Sequence, residues 1–129
     1  MKVYIAAPWA HRIEAAKAQT AFEAAGHVVT SHWIKYHPEG ELPAEELCVQ
    51  AQQDLHDVLE ADTFVILNLA LSEGKAFELG YWLGFFAGYD TMFRPRTILA
   101  GPYTRNIFYH LPEIEQVDTI ADVIRLLSS

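Results

Sequence analysis

Two carboxylates stand where they could do chemistry. Glu78 sits in "SEGKAFELGYWLG" (72–84), an otherwise apolar and aromatic stretch, and Asp54 sits in "AQQDLHDVLEAD" (51–62). Two acids that reach one crevice without metal ligands suit cleavage of a glycosidic bond. One attacks the anomeric carbon while the other holds or protonates the leaving group. Glu78 falls about one turn into a helix, and helix N-termini favour negative charge, so the expectation is a carboxylate that stays ionised and acts as a nucleophile. Each acid also has a plainer reading as a solvated helical residue, because charged side chains are mostly exposed. Residue type alone leaves both open.

The elements that must position these acids are legible as an alternation. "KVYIAA" (2–7), "HVVTSHW" (27–33), "TFVILNLA" (63–70) and "RTILAGP" (96–102) are short apolar or β-branched runs that read as strands, and "IEQV" (114–117) adds an edge strand. Between them, residues 11–26 are alanine-rich and end in Gly26, as a helix with a glycine stop does. Residues 43–62 form an amphipathic helix with Leu47, Ala51, Leu55, Val58 and Leu59 near helical spacing. Residues 74–90 make a third helix and 119–129 a fourth, with Asp118 as its cap. Residues 34–43 are the longest loop. Strands alternating with helices predict one α/β domain over 1–129, an open doubly wound, Rossmann- or flavodoxin-like parallel sheet of about five strands with helices on both faces. Ligands of such sheets sit outside the carboxyl ends of the strands. "AAPWAHR", "TSHWIKYHP", "LNLALSEGKAFE" and "AGPYTRN" all follow strands, so Pro8, Trp9, Arg12 and His32 converge with the acids.

Composition narrows the partners. A chain of 129 residues with 51% hydrophobic residues and a net charge of −8 is globular and acidic, which argues against nucleic-acid polymers and anionic membranes. The single Cys48 cannot form an internal disulfide, and the first residues carry too short an apolar run for a signal peptide or a membrane span, so a cytoplasmic setting is expected. Neither a P-loop nor a GxGxxG fingerprint is present. Six histidines include no metal-binding spacing, His27, His32 and His37 being five apart across a strand and loop, so no metal is expected. Gly80, Gly84 and Gly88 share one face of the third helix, a pattern for close packing on a neighbour. The aromatic residues around them suit a subunit interface as well as a core. Trp9, Trp33, Tyr36 and Phe77 are candidates to stack on a planar ligand.

Taken together, "VYIAAPWAHR", "AQQDLHDVLEADTFVILNL" and "SEGKAFELGYWLG" resemble the nucleoside 2-deoxyribosyltransferase family, which includes the 2'-deoxynucleoside 5'-monophosphate N-hydrolases. The resemblance runs from the first strand to "RTILAGP" and is most specific at G-x-x-x-E-L-G, which begins at Gly74. It implies that Glu78 is the nucleophile, that Asp54 contacts the base and that Tyr4 reaches the active site. The implied reaction is a double displacement: Glu78 attacks C1' of a 2'-deoxyribosyl group, the base leaves, and a second base or water takes the sugar. No cofactor is implied. The partners are a small nucleoside or nucleotide and further copies of the chain, in a homodimer or higher homo-oligomer with the active site at the interface.

Within that resemblance two branches divide the motifs. Ser72 stands where nucleoside transferases often have aspartate and where the nucleotide hydrolases have a phosphate-holding serine. The first loop lacks the hydrolases' glycines, although His11 and Arg12 offer positive charge. Asn106 resembles the asparagine that a neighbouring subunit contributes in transferases. Transfer of deoxyribose between bases leads; hydrolysis of deoxynucleoside monophosphates is the alternative, and a nucleotide-binding sensor without turnover is the reading of another class.

Overall fold

The apolar runs form five strands, all parallel. The computed structural model describes residues 1–36, 40–86, 95–102 and 105–128. His37, Gly88 and the expected end of the third helix (87–90) lie outside the described residues. The elements are β1 (Lys2–Ala6), α1 (Arg12–Ala24), β2 (Val28–Val29), α2 (Ala44–Glu60), β3 (Thr63–Leu67), α3 (Glu73–Phe86), β4 (Arg96–Ala100), β5 (Ile114–Val117) and α4 (Ile120–Ser128), with 3-10 turns at Trp9–His11, His32–Lys35 and Ile107–His110. The strand order is β2-β1-β3-β4-β5, the flavodoxin-like order, whose direction reverses between β1 and β3. The fold class is the one the alternation predicts. No helix among the described residues is long and apolar enough to cross a membrane.

Alternation along the strands divides the core. Val3, Ile5, Val65, Leu67 and Ile98 pack with Ala15, Ala18, Phe22 and Val123 of α1 and α4. Tyr4, Ala6, Phe64, Ile66 and Leu99 pack with Val58 of α2 and with Leu79 and Trp82 of α3. On this second face Tyr4, Phe64 and Thr97 are register partners across β1, β3 and β4. The Tyr4 and Phe64 rings stack at 5.5 Å, Trp82 lies 5.5 Å from Phe64, and its indole N–H donates to Thr97 Oγ1 at 2.8 Å. Each such aromatic pair adds roughly 0.5–1.5 kcal/mol beyond burial. The stack fixes α3 over the sheet and sets where Tyr4 points.

Several elements depart from their sequence expectation for local reasons. β2 is two residues long because Ser31 Oγ accepts the Ile5 N–H at 2.7 Å, so a side chain replaces the next rung of the ladder. His32 therefore begins a 3-10 turn rather than ending a strand. The α4 cap is Thr119, not Asp118: Thr119 Oγ1 accepts the Asp122 N–H while the Asp122 carboxylate accepts the Thr119 N–H, a capping box. On α2 the buried residues are Asp57 and Val58, whereas Leu47 is 54% exposed. Gly80 and Gly84 are open, with nothing within 4 Å of a Cβ placed there, so none of the described residues packs closely on them. Their neighbours Phe77 and Phe85 are exposed as well.

One glycine is required by its surroundings. Gly101 follows β4 at φ +123, and a Cβ there would lie 2.8 Å from the main-chain oxygen of Asn68. Gly101→Ala should lower stability by about 1–3 kcal/mol, measurable by denaturant unfolding; wild-type stability would contradict this packing of the loops that follow β3 and β4.

Candidate active site

A cleft of about 580 Å³ opens beside α2 and α3, where the loops after β1 and β3 meet, and Asp54, Ser72, Gly74, Lys75 and Glu78 line it. Trp9, Trp33 and Tyr36 form an aromatic wall, the two indoles 6.1 Å apart. Trp33 is fixed by its N–H, which donates to the Ile5 carbonyl at 2.9 Å. The wall and the acids thus share one cleft at the switch point of the sheet.

Glu78 enters from α3 and Tyr4 from β1, and the Tyr4 hydroxyl donates a hydrogen bond to Glu78 Oε2. Tyr4 is fully buried beneath the cleft. Burial, and then the neighbouring Glu78 carboxylate, push its phenol far above the ordinary range, so it remains a donor. Burial pushes the Glu78 carboxyl up to about 8; the Tyr4 hydrogen bond pulls the other way, and the charges of Asp54 and Asp57 add to the rise. This corrects the expectation of a carboxylate held ionised by its helix. α3 begins at Glu73, which places Glu78 beyond the first turn, and the helix dipole fades within that turn. Desolvation wins.

Asp54 is half-buried on α2, and its Oδ1 is buried with no hydrogen-bond partner among the described residues. Burial raises its carboxyl to about 6; Asp57 reinforces the rise and His32 opposes it. Such an oxygen is incomplete until a donor reaches it. Asp57, one turn further along α2, is 2% exposed and bound to the ring and main chain of His32.

The start of α3 is built around Ser72 and Lys75. Ser72 Oγ accepts the Lys75 N–H at 3.2 Å, an N-cap contact worth about 1 kcal/mol. The Lys75 ammonium is buried, donating to Asn68 Oδ1 at 2.9 Å and to the Ala70 carbonyl at 2.6 Å, with the Tyr109 ring 5.7 Å away. Burial without a carboxylate lowers it to about 8. Lysine, asparagine and carbonyl together tie the loop after β3 to the helix that carries Glu78.

Of the residues singled out in the sequence, Glu78, Asp54, Ser72, Gly74 and Trp9 line the cleft, with Tyr4 directly beneath. Pro8, Arg12, His32 and Asn106 do not line it. Pro8 is buried and opens the Trp9–His11 turn, and Arg12 lies over the Trp9 ring at 5.3 Å. Asn106 caps the Ile107–His110 turn by accepting the Phe108 N–H at 2.9 Å. Phe77 points away and is 66% exposed. Asp57, Lys75 and Asn68 carry no motif signal; the spacing of Asp57 from Asp54, three residues on one helix, is the only hint. Among the described residues no group of three or more His, Cys, Asp and Glu is placed to hold a metal ion.

No protein-family model matches the chain, and no curated protein sequence matches it significantly. Solved structures do. A 2-deoxyribosyltransferase from the psychrotolerant bacterium Bacillus psychrosaccharolyticus is 21% identical, with 96% of this chain and 90% of that one aligned at a TM-score of 0.69. A CMP N-glycosidase from Clostridium botulinum is 14% identical over 99% and 98% of the two chains, at a TM-score of 0.60. The chain shares their fold. That likeness is consistent with the family resemblance carried by the sequence motifs.

In the free protein, carboxyl-detected NMR should place the Glu78 inflection near 8 and that of Asp54 near 6. Tyr4→Phe should move Glu78 higher still, since the lost hydrogen bond favours the ionised form. A Glu78 inflection in the ordinary glutamate range would contradict this description of the cleft.

Proposed function

We propose that this protein cleaves the N-glycosidic bond of 2'-deoxyribonucleosides through a deoxyribosyl–Glu78 ester and transfers the sugar to another nucleobase. The observation that carries this reading is the convergence of Glu78, braced by Tyr4, with the unpaired oxygen of Asp54 in one cleft faced by aromatic rings. Both fold neighbours are, by name, enzymes acting at a glycosidic bond to a base, which supports the same reaction class.

In the first step a Glu78 oxygen bonds to C1' while the C1'–N bond breaks, and the departing base nitrogen takes a proton from Asp54. In the second, an incoming base nitrogen bonds to C1', the ester breaks, and Asp54 recovers a proton from the incoming base. Between about 6 and 8 the two acids hold one proton between them. Attack uses the minor of the two arrangements, with that proton on Asp54 and Glu78 as the carboxylate, because the higher value of Glu78 places the proton mostly there. Below that window neither acid is ionised; above it no proton remains for the base. The rate therefore has a bell-shaped pH dependence.

A nucleoside is favoured over its monophosphate by charge. Lys75 is the one cation among the described residues lining the cleft, and Asn68 and Ala70 already hold it. Ser72 at the start of α3 keeps monophosphate hydrolysis as the second reading, since helix N-termini accept phosphate. The exposed face of α3, with Phe77, Gly80, Gly84 and Phe85, fits a second copy completing the cleft in a homodimer or larger assembly.

The test is a chromatographic assay with each 2'-deoxynucleoside and its 5'-monophosphate, with and without a second base, on size-separated fractions. Expected is a new nucleoside that forms only with added base, in the oligomeric fraction, with a rate optimum between pH 6 and 8. Glu78→Ala should abolish turnover and retain binding. Free base from monophosphates alone would establish the hydrolase; turnover unchanged in Glu78→Ala would overturn both; silence with intact nucleotide binding would leave a sensor.

A further inference from the structure

Tyr4, Glu78 and Asp54 leave a third carboxylate of the same region unused. Asp57 is 2% exposed, and a buried carboxylate needs donors or a countercharge. Its donors are the Gln53 amide at 2.8 Å, the His32 main-chain N–H at 3.0 Å, and the His32 ring, whose Nδ1 lies 2.9 Å from both oxygens. Only the imidazole among these can carry charge. The His32 side chain is 72% exposed, so the ring meets solvent while the carboxylate it serves does not.

Among the described residues, the remaining ionisable groups that act here are acids or a phenol. Asp54 lies one turn back on α2, Glu78 comes from α3 and Tyr4 from β1. From the segment after β2, Thr30 donates its hydroxyl to the Asp57 carbonyl at 2.9 Å and adds no charge. His56, next to Asp57 in sequence, lies 3.8 Å from Glu60 instead.

We propose that Asp57 and His32 are positioning residues behind Asp54: the imidazole sets how much of the Asp57 charge the acid pair feels, and the same contacts fix the turn that carries Trp33 into the cleft. Side chains three apart on a helix sit about 5–6 Å apart at Cβ, close enough in a partly desolvated place for one carboxylate to oppose ionisation of the other. Asp57 raises both Asp54 and Glu78, and His32 pulls Asp54 back down. When His32 is charged, Asp57 is neutralised and Asp54 ionises readily. Without charge on His32, only neutral donors answer the Asp57 carboxylate, and Asp54 keeps the proton that a leaving base would take. The catalytic consequence rests on the reading of Glu78 and Asp54 given above; the coupling between the charges does not.

The test is the Asp54 titration, followed by carboxyl-detected NMR in the full chain without substrate, in wild type, Asp57→Asn and His32→Gln. Asp57→Asn should move the Asp54 inflection to lower pH and His32→Gln to higher pH, each by roughly half a pH unit or more. Opposite directions from two changes at one contact are not what loss of packing produces. Inflections unmoved, or moved the same way, overturn the proposal. His32→Gln alters an exposed ring and retains an amide donor, so it decides the matter even if Asp57→Asn fails to fold: a higher inflection supports the coupling and an unmoved one refutes it. Since no turnover is read, failure of the coupling and failure of the glycosidic reading are separate results.

Discussion

The hydrogen bond from Tyr4 to Glu78 is the contact on which the rest of the site depends. It joins the central part of the sheet to α3, and it exists because three neighbouring strands place Tyr4, Phe64 and Thr97 in one row under Trp82. A carboxyl pressed into that apolar layer loses solvation, and one hydroxyl donor returns only part of it. Glu78 is left as a strong base for a carboxylate, with a ready donor beneath it. A solvated acid on the outer face of the same helix would have neither property.

The same desolvation organises the surrounding charges. Among the described residues, Asp54 keeps one oxygen without a partner, Lys75 is buried on neutral acceptors, and Asp57 depends on an imidazole that faces water. Burying each of these groups costs free energy that its partners only partly return, and all stand around one cleft. Clusters of ionisable groups displaced from their ordinary ranges by burial and by one another are what acid–base and nucleophilic chemistry needs near neutral pH. Ser72 and the Lys75–Asn68 contact hold the first turn of α3, so the loop after β3 is fixed from both sides.

Much of this was legible in the sequence. Continuous apolar runs gave the central strands, the alternation with helices gave the parallel sheet, and a glutamate inside "GKAFELG" stood out against its apolar neighbours. What could not be read were effects that depend on contacts between distant residues. β2 stops because Ser31 caps the ladder of β1, which no propensity at 30–33 reveals. The protonation of Glu78 differs from what its helix position suggests because burial, invisible along the chain, outweighs the helix. Nothing in residue type sets Asp57 and Lys75 apart from ordinary helical charges, yet the fold buries both. The glycines of α3 matched a packing pattern, yet the surface they open is exposed in the single chain.

The measurement that bears most directly on Glu78 as nucleophile is the intact mass of the protein, rapidly quenched during incubation with a 2'-deoxynucleoside and then digested to locate any adduct. The predicted result is an increase of one deoxyribosyl group on the peptide containing Glu78, lost again when a second base is supplied and absent in Glu78→Gln. Turnover of the nucleoside with no adduct at any time, or an adduct that persists in Glu78→Gln, would contradict it.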